Sequence, residues 1–346
     1  MNKYFTNLHK NKTYNLIVRL IIVIATYYFI YKQIFYHRKL DYVVQTFIDS
    51  IDKAYILIFV GWICALMLVN WGVETLKWQY LISKIEKVPF LKAFEAVLSG
   101  VSVSVFTPNR IGEWFGRVFI LEKSNPWKGV FITIIGSFSQ LLITIIVGSF
   151  SLLIYIPIYF NSAEFYSPYL YYGIIFLVLV IITALILIFL NVTALPGFVS
   201  HMIKKRFGKF NEYFAIIAHY STFELATVLL FSFLRYVVFT LQFYLFLMSY
   251  SVEIPLLHGL MIISIVFLIM TAIPSVTLAE LGVRGSVSLY FIGSYFEHYG
   301  TLNDQINIGI VSSSSSLWLI NLAIPAIAGT FFVYRLRFFR KRNSNE

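Results

Sequence analysis

The chain alternates between long apolar segments and short polar loops. A transmembrane helix needs about 20 consecutive, mostly apolar residues, because the hydrocarbon core of a bilayer is about 30 Å thick. The segments that approach or exceed this length are residues 15–35, 55–76, 130–156, 169–190, 223–248 and 306–333. The pattern therefore predicts six transmembrane helices joined by short loops.

Two further apolar segments are interrupted by proline. Residues 90–121 are broken at Pro108, and residues 257–292 are broken at Pro274. The arms beside each proline are short for a crossing, and irregular backbone at membrane depth is tolerated only where it is buried in protein or faces a wet cavity. We predict that each segment forms a re-entrant helical hairpin. The alternative is an ordinary transmembrane helix with a proline kink at each position.

The charges of the loops favour hairpins over kinked helices. Lys and Arg are concentrated in residues 1–14, 77–92, 122–129, 196–222 and 334–346. They are absent from residues 158–168, 249–256 and 293–305. The loop 36–54 is the one exception on the outer side, and its bases are matched by acids. Because cytoplasmic loops carry the excess of Lys and Arg, the basic loops and both termini are predicted to be cytoplasmic. This solution requires the first hairpin to enter and leave from the cytoplasmic side and the second from the outer side.

That topology predicts an inverted repeat. The first half-repeat spans about residues 15–157, the second spans about residues 169–333, and residues 334–346 form a basic cytoplasmic tail. Broken helices that meet near the midplane are a recurrent plan of secondary transporters. The predicted fold class is an all-α polytopic membrane protein. Residues 1–346 would form one membrane domain with about six transmembrane helices and two re-entrant hairpins.

Composition supports a membrane protein and weakens several other classes. The chain is 59% hydrophobic and 12% charged, whereas soluble domains carry about 25% charged residues. The net charge of +11 comes from short loops beside apolar segments, where topology signals and lipid headgroups act, so we expect no nucleic-acid partner. The six histidines lack metal-ligand spacing, and the sequence contains no P-loop, dinucleotide-binding turn or nucleophile elbow. We expect no metal and no cofactor.

Charged residues follow each proline. Arg110, Glu113 and Arg117 have the spacing of one helix face, and Glu280 and Arg284 repeat the four-residue spacing of Glu113 and Arg117. A charge near the bilayer centre costs at least about 2.5 kcal/mol, so each Glu–Arg pair is interpreted as self-compensating. Arg110 remains unpaired within its motif and would suit an anionic lipid phosphate. The alternative is that these are interfacial charges that pair at a membrane surface.

Other residues of the two segments could contribute to an anion site. Pro108 and Pro274 interrupt the backbone hydrogen bonds and start new helices, whose N-terminal N–H groups favour anions. Gly112, Gly116 and Gly282 are predicted to allow close approach between helices.

A further arginine lies near the middle of the fifth predicted helix. Arg235 is followed by Gln242 two turns later on the same side. Two interpretations are open. Arg235 could pair with Glu224, with Glu74 or with a backbone carbonyl as a packing device, or it could line the path of a lipid headgroup.

The first motif resembles a known family, the transmembrane region of lysylphosphatidylglycerol synthase/flippase together with its stand-alone homologues. The Pro-x-Arg-x-Gly-Glu pattern of that family, followed by Arg, is matched by Pro108, Arg110, Gly112, Glu113 and Arg117. The likeness covers about residues 10–335.

The second motif is similar but departs from the family pattern. A Gly-Val-Arg-Glu motif after a proline is matched by Gly282 to Arg284 after Pro274. Gly285 stands where the family has an acid, and Glu280 lies earlier instead.

The resemblance implies a multi-pass, flippase-like protein of the bacterial cell (inner) membrane. The sequence has no counterpart of the soluble aminoacyl-transferring domain, so we expect a transporter rather than an enzyme. Our hypothesis is a translocase for an anionic or otherwise charged-headgroup lipid. The predicted binding residues are Pro108, Arg110, Gly112, Glu113, Arg117, Arg235, Pro274, Glu280, Gly282 and Arg284.

The alternatives to a translocase are a membrane-embedded transferase for glycolipids or lipid-linked sugars and an accessory subunit of a lipid-synthesis enzyme. Membrane lipids are the expected partners, and a homo-oligomer is left open.

Overall fold

The computed structural model describes residues 20–21, 24, 53–105, 107–159, 167–192, 216, 219–273 and 277–333. Regular structure in these residues is entirely helical. The predicted helix over residues 15–35 lies largely outside the described residues, although Leu20, Ile21 and Ile24 are helical. Most of the 196–222 loop and the 334–346 tail lie outside them as well, so the expectations for these segments stay predictions.

Ten helices follow one another in the described part of the chain. They are α1 (Lys53–Ile82), α2 (Phe90–Ser104), α3 (Gly112–Val118), α4 (Pro126–Tyr159), α5 (Pro168–Leu190), α6 (Thr222–Ser249), α7 (Leu256–Ala272), α8 (Thr277–His298), α9 (Asp304–Trp318) and α10 (Ile324–Val333). A 3₁₀ turn, Pro108–Arg110, separates α2 from α3, and a π-turn, Leu319–Ala323, joins α9 to α10.

Five helical stretches among the described residues are long and apolar enough to cross a membrane. They are Ile58–Ile82, Pro126–Tyr159, Pro168–Leu190, Thr222–Ser249 and Asp304–Val333. Each corresponds to one of the predicted transmembrane helices, so a polytopic helical membrane protein is confirmed. Helix α5 has the highest mean hydropathy of the five, 3.4, yet only 11% of its most apolar stretch is buried in protein. Because this surface is apolar all round and little covered, it is suited to contact with lipid.

Helices α1 and α6 run antiparallel through the centre of the protein. Gln242 donates to the carbonyl oxygen of Ile63 at 3.1 Å. Nearer the other end, Tyr220 donates to the carbonyl oxygen of Leu81 at 2.7 Å. These contacts define two faces. We call the face with residues 83–89 the first face and the face with residues 250–255 the second face.

Helices α2 and α3 fold back on each other. A Cβ atom on Gly116 would lie 2.6 Å from the Cα of Gly100, whereas 16 residues of one continuous helix would separate these positions by about 24 Å. Lys92 and Glu122, near the two ends of the segment, form an ion pair at 3.3 Å on the first face. The chain therefore makes a hairpin at Pro108 rather than a kinked single helix.

Helices α7 and α8 form a second hairpin with its open end on the second face. The rings of His258, near the start of α7, and Tyr295, near the end of α8, lie 5.9 Å apart. Helix α8 continues to His298, six residues beyond the arm end expected near Ile292. At 22 residues it is about 33 Å long, so the expectation of a short second arm is wrong for α8. The two hairpins enter from opposite faces, while the inverted repeat stays a prediction.

One carboxylate organises the loops of the first face. Glu86 accepts hydrogen bonds from the backbone N–H groups of Glu122, Lys123 and Ser124, each at 2.9 Å. Partial burial acts to raise the pKa of Glu86, but these hydrogen bonds outweigh burial and hold the pKa below its ordinary value. The carboxylate thus joins the start of the first hairpin to its end.

We expect Glu86→Gln to lower the melting temperature at pH 7, and we expect the difference from wild type to shrink in acid. Because the native pKa is depressed, the stabilisation is fully present above the ordinary glutamate pKa of about 4.3 and is lost as pH falls through the native value. Thermal unfolding in detergent from about pH 7 to about pH 3 measures this. A difference that stays constant over that range would contradict the assignment.

Candidate functional site

A buried cluster of charges surrounds Glu74 on α1. One carboxylate oxygen of Glu74 lies 2.7 Å from Nη1 of Arg117. The other lies 2.9 Å from Nζ of Lys77 and 3.1 Å from Nη1 of Arg235. Arg117 also pairs with Glu113, one turn earlier on α3. We call these five residues the Glu74 cluster. It joins α1, α3 and α6 through ion pairs.

The side chains at the centre of the Glu74 cluster are buried, and those at its edge are partly exposed. The side chains of Lys77, Arg117 and Glu74 are 5% exposed or less, whereas that of Arg235 is 19% exposed. The attraction between buried opposite charges offsets the cost of removing them from water only when the geometry is good and hydrogen bonds are made. Arg235 is therefore the base of the cluster best placed to meet a ligand.

The hairpin glycines bring Arg117 to Glu74. A Cβ on Gly100 would lie 2.7 Å from Cγ of Arg117, and a Cβ on Gly112 would lie 2.5 Å from the carbonyl oxygen of Val103. Close approach at Gly112 and Gly116 is therefore confirmed. For Gly282 this prediction is wrong. It is exposed, and no atom of the described residues lies within 4 Å of its Cβ position, because it faces away from the neighbouring helices.

The second motif forms its own ion pair beside the cluster. Nη2 of Arg284 lies 2.6 Å from Oε1 of Glu280, and both residues are buried. The predicted pairing one turn apart is thus confirmed for both motifs. The guanidinium carbon of Arg284 lies 6.0 Å from the ring centre of Phe239 on α6. Phe239 is one turn after Arg235, so the second motif contacts the helix that carries Arg235.

Arg110 lies where the two hairpins meet. The sequence predicted one helix face for Arg110, Glu113 and Arg117, and this is wrong for Arg110. Helix α3 begins only at Gly112, and Arg110 lies in the preceding turn with φ of 58°. Its charge interacts instead with Glu280 of the second hairpin, and α8 contacts the turn. A left-handed non-glycine residue costs about 1–3 kcal/mol and occurs preferentially at functional sites.

Several guanidinium nitrogens of the Glu74 cluster and the hairpin tips are buried without a hydrogen-bond acceptor in the described part of the chain. They are Nε of Arg110, Nε of Arg117, and Nε and Nη1 of Arg284. The Glu74 cluster and the hairpin tips together hold five basic and three acidic side chains. Buried donors and an excess of positive charge both favour an additional anion at this position.

A chain of buried amides continues from Arg235. Its Nε donates to Oδ1 of Asn70 at 3.1 Å, and Nδ2 of Asn70 donates to Oδ1 of Asn321 at 3.0 Å. Asn321, in the π-turn after α9, donates in turn to Oε1 of Gln242 at 2.8 Å. The chain ends at the carbonyl oxygen of Ile63. Arg235 is therefore anchored through three amide side chains.

One of the two interpretations of Arg235 predicted an ion pair, and the structure contains that pair. Arg235 pairs with Glu74, whereas Glu224 pairs with Lys84 at 2.6 Å. Binding of a headgroup by Arg235 stays a prediction. Pro108 begins the 3₁₀ turn of the first hairpin, and Pro274 lies outside the described residues.

Sequence reasoning did not include Glu74, Lys77 or the amides among the site residues. Lys77 was predicted to begin a basic loop, but α1 continues to Ile82 and leaves Lys77 only 1% exposed. The reason is the ion pair with Glu74, one turn earlier, which makes burial of the ammonium tolerable. The signal available in the sequence was an acid and a base three residues apart at the end of an apolar segment.

One of the comparisons with known proteins identifies a family. Residues 16–297 match the family described as the lysylphosphatidylglycerol synthase TM region. No curated protein and no solved structure matches the chain. The matched segment covers most of the sequence and includes both charged motifs, as the resemblance at Pro108 to Arg117 implied. The chain belongs to the family of the lysylphosphatidylglycerol synthase transmembrane region.

Proposed function

We propose that this protein is a lipid translocase that binds the anionic headgroup of a membrane lipid between the tips of its two hairpins. The observation that carries the proposal is the meeting of Arg110 and Arg284 at one place. Both arginines have buried N–H groups without an acceptor in the described residues. A phosphate oxygen is the acceptor that such groups favour, because a guanidinium can hold two oxygens at once.

Arg284 can bind Glu280 and a phosphate at the same time. Its Nη2 donates to Glu280 at 2.6 Å, while its Nε and Nη1 have no acceptor in the described part of the chain. Glu280 would hold the guanidinium in place while its remaining N–H groups donate to the phosphate. Arg235, one turn from Phe239, would add a second positive group beside it. Membership in a family named for a phospholipid synthase supports a lipid ligand.

The opposed hairpins suit movement between leaflets. The first hairpin opens towards the first face and the second towards the second face. A headgroup bound where the tips meet would lie between the two faces, and small shifts of either hairpin would open the site to one side. Alternating access of this kind is a recurrent behaviour of transporters built from opposed broken helices.

We expect purified protein in liposomes to speed the exchange of fluorescent phosphatidylglycerol between leaflets, and Arg284→Ala to slow this exchange at least about tenfold. The loss corresponds to removal of one charge-assisted contact to the phosphate. Exchange is followed by chemical quenching of the outer-leaflet fluorophore. Lys92→Ala is the matched control, because Lys92 makes an exposed ion pair with Glu122 at 3.3 Å, and it should exchange lipid at the wild-type rate.

Two results would reject the proposal. Exchange by the wild-type protein at the rate of empty liposomes for phosphatidylglycerol, phosphatidylcholine and phosphatidylethanolamine would exclude translocation of these lipids. A folded Arg284→Ala protein that exchanges phosphatidylglycerol as fast as wild type would exclude Arg284 from the site.

A further inference from the structure

Asn321 occupies an unusual position in the last membrane segment. The helix is interrupted there by the π-turn Leu319–Ala323, with Asn321 at its centre. π-turns within helices are rare and are frequently found at functional sites. Asn321 is 5% exposed and is bonded on both sides, to Asn70 of α1 and to Gln242 of α6. The π-turn thus directs one amide into the space between α1 and α6.

The hydrogen bonds of the amide chain all run in one direction, each amide donating to the next. Asn70 donates to Asn321, Asn321 donates to Gln242, and Gln242 donates to the carbonyl oxygen of Ile63. Because that carbonyl oxygen can only accept, the amides are oriented from this end of the chain. The consequence at the other end is that Asn70 presents its oxygen to Nε of Arg235 at 3.1 Å.

This arrangement holds Arg235 by two of its three guanidinium nitrogens. Asn70 accepts from Nε, Glu74 pairs with Nη1 at 3.1 Å, and the guanidinium carbon lies 5.1 Å from the ring centre of Trp71. The side chain nevertheless stays 19% exposed. A guanidinium held at Nε and Nη1, with Nη2 left without a partner in the described residues, can bind an anion.

The helix that carries this amide also contacts the first hairpin. Ser102 of α2 donates to the carbonyl oxygen of Ala326 in α10 at 2.6 Å. Both Asn321 and Ala326 lie beyond residues 16–297, the segment that matches the family. The last membrane segment therefore reaches the site at two points, from outside the matched region.

We propose that Asn321 is a positioning residue of the anion site, acting on Arg235 through Asn70. The last membrane segment then completes a site whose charged groups all come from the family-matched region. This inference rests on the proposed function in one respect, that Arg235 faces an anionic headgroup. A packing role for the amides would stabilise the fold without affecting the choice of lipid.

The test is a double-mutant cycle between Asn321→Leu and Arg235→Gln, read as lipid-dependent stabilisation in detergent. Phosphatidylglycerol is added in rising mole fraction to phosphatidylcholine, and the fraction giving half of the maximal rise in melting temperature is recorded. We expect Asn321→Leu to raise this fraction roughly fivefold to tenfold in the wild-type background. In the Arg235→Gln background we expect a change of less than about twofold, because coupled residues are non-additive.

The controls separate positioning from packing. Ser316→Ala removes a buried hydrogen bond to Tyr250, the residue that follows α6, and should alter the lipid-free melting temperature without changing the half-saturating fraction. If Asn321→Leu does not fold, Asn321→Ser removes the amide but keeps a polar side chain, and it has the same expected result. An equal effect of the Asn321 variants in both backgrounds, or an effect on the lipid-free melting temperature alone, would overturn the inference.

The same preparations distinguish this inference from the proposed function. Wild-type protein that shows the expected non-additivity but exchanges no lipid in liposomes would support positioning by Asn321 and reject translocation. Wild-type protein that exchanges lipid while Asn321→Leu leaves the half-saturating fraction unchanged would reject positioning alone. No stabilisation by phosphatidylglycerol over phosphatidylcholine would overturn the inference, because Arg235 would then face no anion.

Discussion

Glu74→Ala is expected to lower the free energy of unfolding by about 3–5 kcal/mol, the cost typical of breaking a buried ion pair by removing one partner. The loss is large because a single carboxylate contacts Lys77, Arg117 and Arg235 at 2.7–3.1 Å. Without it, Glu113 is the one remaining acid of the Glu74 cluster. Reversible unfolding in mixed detergent micelles measures the change.

Glu122→Ala is the matched control for this prediction. Glu122 also forms an ion pair, with Lys92 at 3.3 Å, but both side chains are about half exposed. Exposed pairs contribute about 0–1 kcal/mol, so this variant should unfold close to wild type. If Glu74→Ala and Glu122→Ala lowered stability by the same amount, the Glu74 cluster would not be the electrostatic centre of the fold.

Gly116→Val should open the first hairpin and remove about 3 kcal/mol or more of stability, at the upper end of the range for overpacked sites. A Cβ at Gly116 would lie 2.6 Å from the Cα of Gly100 and 3.2 Å from the carbonyl oxygen of Ser99. These are backbone atoms of α2, so no side-chain rotation can relieve the clash. Helix α3 would move away from α2 and carry Arg117 away from Glu74.

Gly173→Val tests whether the effect depends on close packing. Gly173 lies in the lipid-facing helix α5, and no atom of the described residues is within 4 Å of its Cβ position. We expect this variant to elute as wild type in size-exclusion chromatography and to keep its melting temperature within a few degrees. A Gly116→Val protein that behaves like Gly173→Val would show that α2 and α3 are not closely packed.

Local features of the site could be predicted because they depend on short sequence distances. Glu113 with Arg117 and Glu280 with Arg284 are four residues apart, and helical geometry alone places such side chains together. The hairpin at Pro108 could be predicted because two short apolar arms and the loop charges exclude a simple crossing.

Arg110 could not be placed from the sequence because its position depends on the turn. A regular helix would have put it beside Glu113, but the left-handed backbone at Asn109 and Arg110 directs it to the second hairpin instead. The turn is stable only because α2 and α3 pack on each other. That packing is a property of the folded hairpin.

The sequence by itself determined the membrane-spanning character, five of the six predicted transmembrane helices and the charged pairs within each motif. The reason is that a bilayer leaves few backbone structures available, and apolar length together with helical periodicity selects among them. Only the tertiary structure decided that Glu74 forms ion pairs with three basic residues and that Asn321 accepts a hydrogen bond from Asn70, 251 residues away in the sequence. Such partners are chosen by which helices pack together, and packing in lipid depends on close fit and polar contacts between helices rather than on any local pattern.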